Sequence, residues 1–160
     1  MKKEEVKNIV DNVIKTLGGN IDWDDEDIIR VEEMNHHEGK RPKLPEGKMA
    51  IYMFSYKGKF LKIGKVGPKS KSRFRYQHYK PNSCKSNLAK SILEHKEDYD
   101  KLLNEDTIAD WMFNNLERTN IYLNVSCNTV TLDLFEAALR YKLKPRYERP
   151  DDTNYYGEDK

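Results

Sequence analysis

Tyr52 and Lys62, ten residues apart, lie in AIYMFSYKGKFLKIGKV, a stretch that reads as two short strands joined by a lysine-glycine turn. Tyr56-Lys57-Gly58 suits a three-residue hairpin loop, with Gly58 supplying its left-handed position. That register opposes Ser55 to Lys59 and Tyr52 to Lys62, and opposed side chains share one side of a hairpin about 5 Å apart at Cβ. Ile51, Met53, Leu61 and Ile63 fall on the other side as core. One face thus offers a phenol beside an ammonium, a pattern that an ordinary solvated cross-strand pair would also give.

The surroundings bias that choice toward an anionic ligand. The net charge is only +2, yet no Asp or Glu occurs between Gly47 and Leu93 while lysines and arginines recur every few residues. Tyr52, Tyr56, Tyr76, His78 and Tyr79 are interleaved with them. Cations neutralise a phosphate backbone and rings stack on bases, so this mixture suits a nucleic-acid surface. A solvated lysine-rich face is the plainer alternative. Acids concentrate instead between Ile21 and Glu38, where Arg30 is the single base.

The elements that must position these residues follow from periodicity. Val6, Ile9, Val10, Val13, Ile14 and Leu17 form a helical stripe closed by Gly18-Gly19. A second helix is expected to carry Ile28, Ile29, Val31 and Met34, followed by a loop over residues 36–48 in which the adjacent His36 and His37 are exposed. After the hairpin come helices around 71–80, 85–96 and 106–117, then a strand at 121–125. Residues 131–143 form a final helix with Thr131 as N-cap and Leu132, Phe135, Leu139 and Leu143 as its buried stripe. The fold class is α/β (α+β), a small central antiparallel or mixed sheet flanked by helices. With 160 residues, one main domain is expected. Cys84 and Cys127 lack metal-ligand spacing and read as packing residues. No apolar run approaches the roughly 20 residues that span a bilayer, and no signal peptide is evident, so a cytoplasmic protein without a membrane partner is expected.

Four elements in order then carry a resemblance. AIY at 50–52 and KIG at 62–64 resemble the paired tripeptides of the GIY-YIG nuclease family, with Lys65 directly after the second. Arg73 within SRFRYQHY stands at the family's arginine position. EAALRYKLKPRYE, residues 136–148, is similar to the family helix that opens on a metal-binding glutamate. The resemblance implies a nuclease domain over 49–148, with 1–48 as an N-terminal helical and acidic extension. It also implies a helical insertion at about 83–117 and a flexible tail over 149–160. Ala50 replaces the family's first glycine, Lys62 its second tyrosine, and Glu148 an asparagine often found after the last helix; some restriction enzymes of the family also carry that lysine.

Phosphodiester hydrolysis needs an activated water, stabilised phosphate charge and a route for protonating the leaving oxygen. On this resemblance Tyr52 accepts or relays the water's proton. A free phenol near pKa ~10 is a poor base, so Lys62 and Lys65 are expected to assist it. Arg73 binds the scissile phosphate through its planar fork. Glu136 ligates one Mg²⁺ or Mn²⁺, with waters and phosphate completing the shell; an exposed ion pair with Arg140 is its plainer role. His78 is a candidate for protonating the leaving oxygen, while Arg75, Tyr76, Tyr79, Lys144 and Arg146 are candidate DNA contacts. Tyr52, Lys62, Arg73 and Glu136 are expected to converge on one face. DNA is the expected substrate, RNA offers the same chemistry, and a scaffold that grips nucleic acid without cutting it is the main rival.

Overall fold

The computed structural model describes residues 2–19, 21–34, 41–82 and 87–147. Among them is a four-stranded antiparallel sheet with the order β1-β4-β2-β3, built from β1 (Ile29–Met34), β2 (Lys48–Tyr56), β3 (Lys59–Val66) and β4 (Glu117–Asn124). Helices α1 (Lys2–Leu17), α2 (Lys71–Arg75), α3 (Leu88–Glu94), α4 (Ile108–Asn115) and α5 (Thr129–Leu143) flank it. The mixed α+β architecture expected from the sequence is therefore present. No helix among the described residues is long and apolar enough to cross a membrane. His36, His37, Cys84 and Glu148 lie outside the described residues; Cys127 is buried.

Both faces of the sheet are covered. On one, Met49, Ile51, Met53, Phe60 and Ile63 meet Val6 and Val10 of α1 and Leu132, Phe135 and Leu139 of α5. On the other, Ala50, Tyr52, Phe54 and Leu61 meet Phe74 of α2, Leu88 and Ile92 of α3, and Ile108, Met112 and Phe113 of α4. The N-terminal region thus supplies both a helix and an edge strand to the common core, and residues 87–116 roof the Tyr52 face.

The expected helix over 28–34 is instead β1, paired antiparallel with β4. The β-branched run Ile28, Ile29, Val31 favours a strand. The preceding aspartates favour turns: Asp22 Oδ1 accepts from Asp24 N at 3.1 Å and Asp25 Oδ1 from Asp27 N at 2.9 Å. The helix expected over 71–80 breaks after Arg75, and Gln77–Tyr79 forms a 3₁₀ turn. For α5 the cap is Asn128, whose side chain accepts from Thr131 N at 3.0 Å. The expected cap, Thr131, lies within the first turn.

The hairpin register also differs from expectation. Lys57 (φ 46°) and Gly58 (φ 80°) form a two-residue turn with both residues left-handed, the geometry that matches strand twist. A bulge between Phe54 and Ser55 then offsets the ladder, so Tyr52 opposes Gly64 and Lys62 opposes Phe54. The extra residue is Leu61, which joins the Tyr52 cluster instead of packing beside Ile63. Tyr52 and Lys62 still share a face, because the two one-residue shifts together amount to two residues and so preserve the alternation.

Candidate active site

Tyr52 is fully buried, and its ring crosses β3 where that strand has no side chain. A Cβ at Gly64 would stand 2.2 Å from the Tyr52 hydroxyl, so only glycine lets the phenol lie there. Arg73 reaches the same oxygen from α2, with Nη2 at 3.5 Å. Its Nε is buried without a hydrogen-bond partner among the described residues. Burial raises the phenol's pKa above 10, opposed by the charges of Arg73 and Arg118, so Tyr52 is protonated at neutral pH.

The cations opposing that rise are not those expected. Lys62, 7% exposed, donates to Asn87 Oδ1 at 3.0 Å. Lys65 opposes Ile51 and so points to the other face. There its ammonium lies between two carboxylates of α5, Asp133 and Glu136, the latter at 3.1 Å. Partial burial works against the Lys65 charge, but these carboxylates outweigh it and its pKa rises.

Glu136 therefore does not converge on the Tyr52 face. It arrives at β3 from the opposite side, carried by the helix that covers Ile51 and Ile63. The two halves meet around an edge, because β3 is the last strand of the sheet and Gly64 is its thinnest point. Glu136 is close enough electrostatically to raise the Tyr52 pKa, though it is the smallest of the influences on that group.

His78 is not a neutral-pH acid. It is fully buried, its ring lies 4.1 Å from that of Tyr52 and 5.3 Å from that of Phe54, and burial lowers its pKa well below 6.5. The charges of Arg118, Arg73 and Lys62 add to that depression. Tyr79, expected at a DNA surface, is also core: it is 2% exposed and stacks on Phe113 at 4.3 Å. Tyr76 and Arg75 are half-buried, and Arg41, Arg75 and Lys80 stand 5.2, 5.0 and 5.9 Å from the Tyr76 ring. Lys144 is exposed at the C-cap of α5. Arg146 pairs with Asp98 at 2.7 Å and its backbone N–H binds Phe60 O on the β3 edge.

Sequence reasoning missed Arg118. It is 1% exposed, and Nε donates to Asn120 at 3.0 Å, Nη1 to the Tyr79 hydroxyl at 3.1 Å and Nη2 to Phe74 O at 2.8 Å. These partners are uncharged, and the guanidinium is further stabilised by the Phe54 and Phe74 rings at 4.9 and 4.6 Å. By holding the last turn of α2, Arg118 fixes the helix that delivers Arg73. The alternation Arg118, Asn120, Tyr122 was visible, but it reads as a solvent face until β4 is paired with β2, which opposes Arg118 to Phe54 and Asn120 to Tyr52. Asp133 was also missed; its spacing of one turn from Glu136 was the available signal.

Compared with models of protein families, with curated proteins and with solved structures, the chain matches none.

Proposed function

We propose that the protein is a metal-dependent endonuclease that hydrolyses phosphodiester bonds in DNA. The observation that carries this reading is the edge of β3, where a phenol hydrogen-bonded by Arg73 lies across Gly64 from a carboxylate pair. The acid-free stretch over 47–93 supports a polyanionic substrate.

The donor set suits a hard divalent cation. Two carboxylates one helical turn apart, Asp133 and Glu136, already converge on one positive charge, the Lys65 ammonium. Mg²⁺ is commonly held by one or two carboxylates, with waters and substrate phosphate completing its shell. When bound, the ion supplies charge stabilisation at the phosphate. Arg73 binds and orients a phosphate oxygen through its fork, and Lys62 adds positive charge on the same face. Tyr52, neutral at pH 7, acts as a relay: its hydroxyl accepts a proton from the attacking water as it passes its own to a phosphate oxygen, and that proton departs on the leaving oxygen as the other P–O bond breaks. His78 packs on the phenol and holds its ring in place.

One specific pair of observations favours a second reading, a nucleic-acid-binding module without cleavage. Tyr52 has no exposed surface, and Glu136 is already neutralised by Lys65. Incubation with supercoiled plasmid, single-stranded DNA and RNA, each with Mg²⁺ or Mn²⁺ and with chelator, separates the two. Nicking or linearisation that chelator abolishes is the expected result. Retention without any cleavage establishes the binding module, and cleavage of RNA alone reassigns the substrate.

A further inference from the structure

Helix α5 buries Leu132, Phe135 and Leu139 on the sheet, and its opposite side is also apolar. Val130 is 73% exposed, Leu134 42% and Tyr141 71%, and Ala137 between them is exposed as well. These positions follow the spacing i, i+4, i+7, i+11, which places them within about 60° of arc over about 16 Å of helix. Alternating steps of four and three residues are those of an a/d seam between helices. An outer helix face normally carries charged residues instead.

The charges beside the seam indicate what covers it. On one flank the order along the chain is Asp133, then Arg140 and Lys144. A two-fold axis between Leu134 and Ala137 sets two copies of α5 antiparallel. Leu134 then packs on the other copy's Ala137, large against small, and Val130 on Tyr141. Asp133, whose side chain is 54% exposed, faces the basic end of the other helix, and the same pairing recurs on the far side of the axis. The helix dipoles oppose one another favourably in this arrangement. Self-complementarity of this kind is what a two-fold interface requires of a single surface patch. We propose that the outer face of α5 is the contact surface of a symmetric dimer of this chain. The apolar seam residues lie outside the proposed phosphodiesterase site; of the flanking charges, Asp133 also belongs to that site's carboxylate pair and is ion-paired with Lys65, so association and not cleavage is the readout.

The test is the mass of the full-length protein by sedimentation velocity across a dilution series from about 1 μM to about 0.1 mM, which brackets the micromolar Kd of a small specific interface. A concentration-dependent shift to twice the chain mass is expected. Leu134→Asp, a change on the solvent side that leaves the circular-dichroism melt in place, should hold the protein monomeric throughout. Asp133→Lys should weaken association at least tenfold, and adding Arg140→Glu should restore it. A parent that stays monomeric at the top of the series overturns the proposal, as does a dimer indifferent to Leu134→Asp. Failure of the charge swap to restore association overturns the antiparallel arrangement.

Discussion

The two faces of the sheet are equally well buried but chemically unlike. Beneath α1 and α5 the contacts are almost entirely aliphatic and aromatic, with Ile51, Met53, Ile63 and Phe135 all at 1% exposure or less. Beneath α2, α3 and α4 the same depth of burial encloses Arg118, Asn120, His78 and Lys62 among the rings. Apolar burial alone stabilises the first face, at about 25 cal/mol per Å² removed from water. On the second, each polar group must recover its lost hydration through a specific partner, or its burial costs free energy. Three cations, Arg118, Arg73 and Lys62, bear on the one buried imidazole of His78, and burying charge in this way carries a desolvation cost that an aliphatic filling would not.

The difference can be broken most severely at Arg118. Arg118→Met keeps the volume but leaves the Asn120 side chain, the Tyr79 hydroxyl and Phe74 O without their donor. A loss of about 3 kcal/mol in denaturant unfolding is expected, together with weaker binding of nucleic acid as α2 loosens. A variant as stable as the parent would show that the buried charge contributes nothing to holding α2. Gly64→Ala is next. Its added carbon would stand 2.2 Å from the Tyr52 hydroxyl, so the phenol must move. Overpacking of this kind should cost about 2 kcal/mol, and a tyrosine absorbance titration unchanged from the parent would contradict the close approach.

The polar face should also respond to pH where the apolar face cannot. The unfolded chain protonates His78 near 6.5, whereas the folded protein resists protonation to lower pH. Stability contributed by the neutral ring is therefore complete above 6.5 and falls as pH drops below it, by up to about 1.4 kcal/mol per pH unit. His78→Phe should flatten that slope in unfolding curves taken between pH 7 and the folded pKa; an unaltered slope would assign it to other groups. The smallest effect belongs to the apolar face. Ile51→Val should cost about 1 kcal/mol and leave the salt dependence of nucleic-acid binding as it was, so a change in that dependence would mean the two faces are not separable.

The sequence made the hairpin, the α5 stripe and the helix of Arg73 legible because each rests on local periodicity. The bulge at Phe54 and Ser55 was not legible, since a two-residue and a three-residue turn both accommodate Lys57-Gly58. The turn length and the bulge each shift the ladder by one residue, and together they moved Tyr52 from Lys62 to Gly64. The placement of Glu136 across the sheet depends on which face α5 covers, which no local pattern specifies. Arg118 reads as solvent-facing for the same reason: its burial is decided by β2, Phe74 and Tyr79, the last two 44 and 39 residues away in the chain.

The central claim is that the phenol on one face and the carboxylate on the other serve one reaction at the edge of β3. Its most direct test is the single-turnover rate of plasmid cleavage in Mg²⁺ for the parent, Glu136→Gln and Tyr52→Phe, alongside DNA affinity measured in chelator. Each 1.36 kcal/mol of lost transition-state stabilisation is tenfold in rate. A fall of about a thousandfold is therefore expected for both variants if each residue supplies about 4 kcal/mol. DNA affinity in chelator should be unchanged for Tyr52→Phe and equal or slightly tighter for Glu136→Gln, which removes a negative charge. A parent that cuts, with both variants cutting at its rate, would contradict the account.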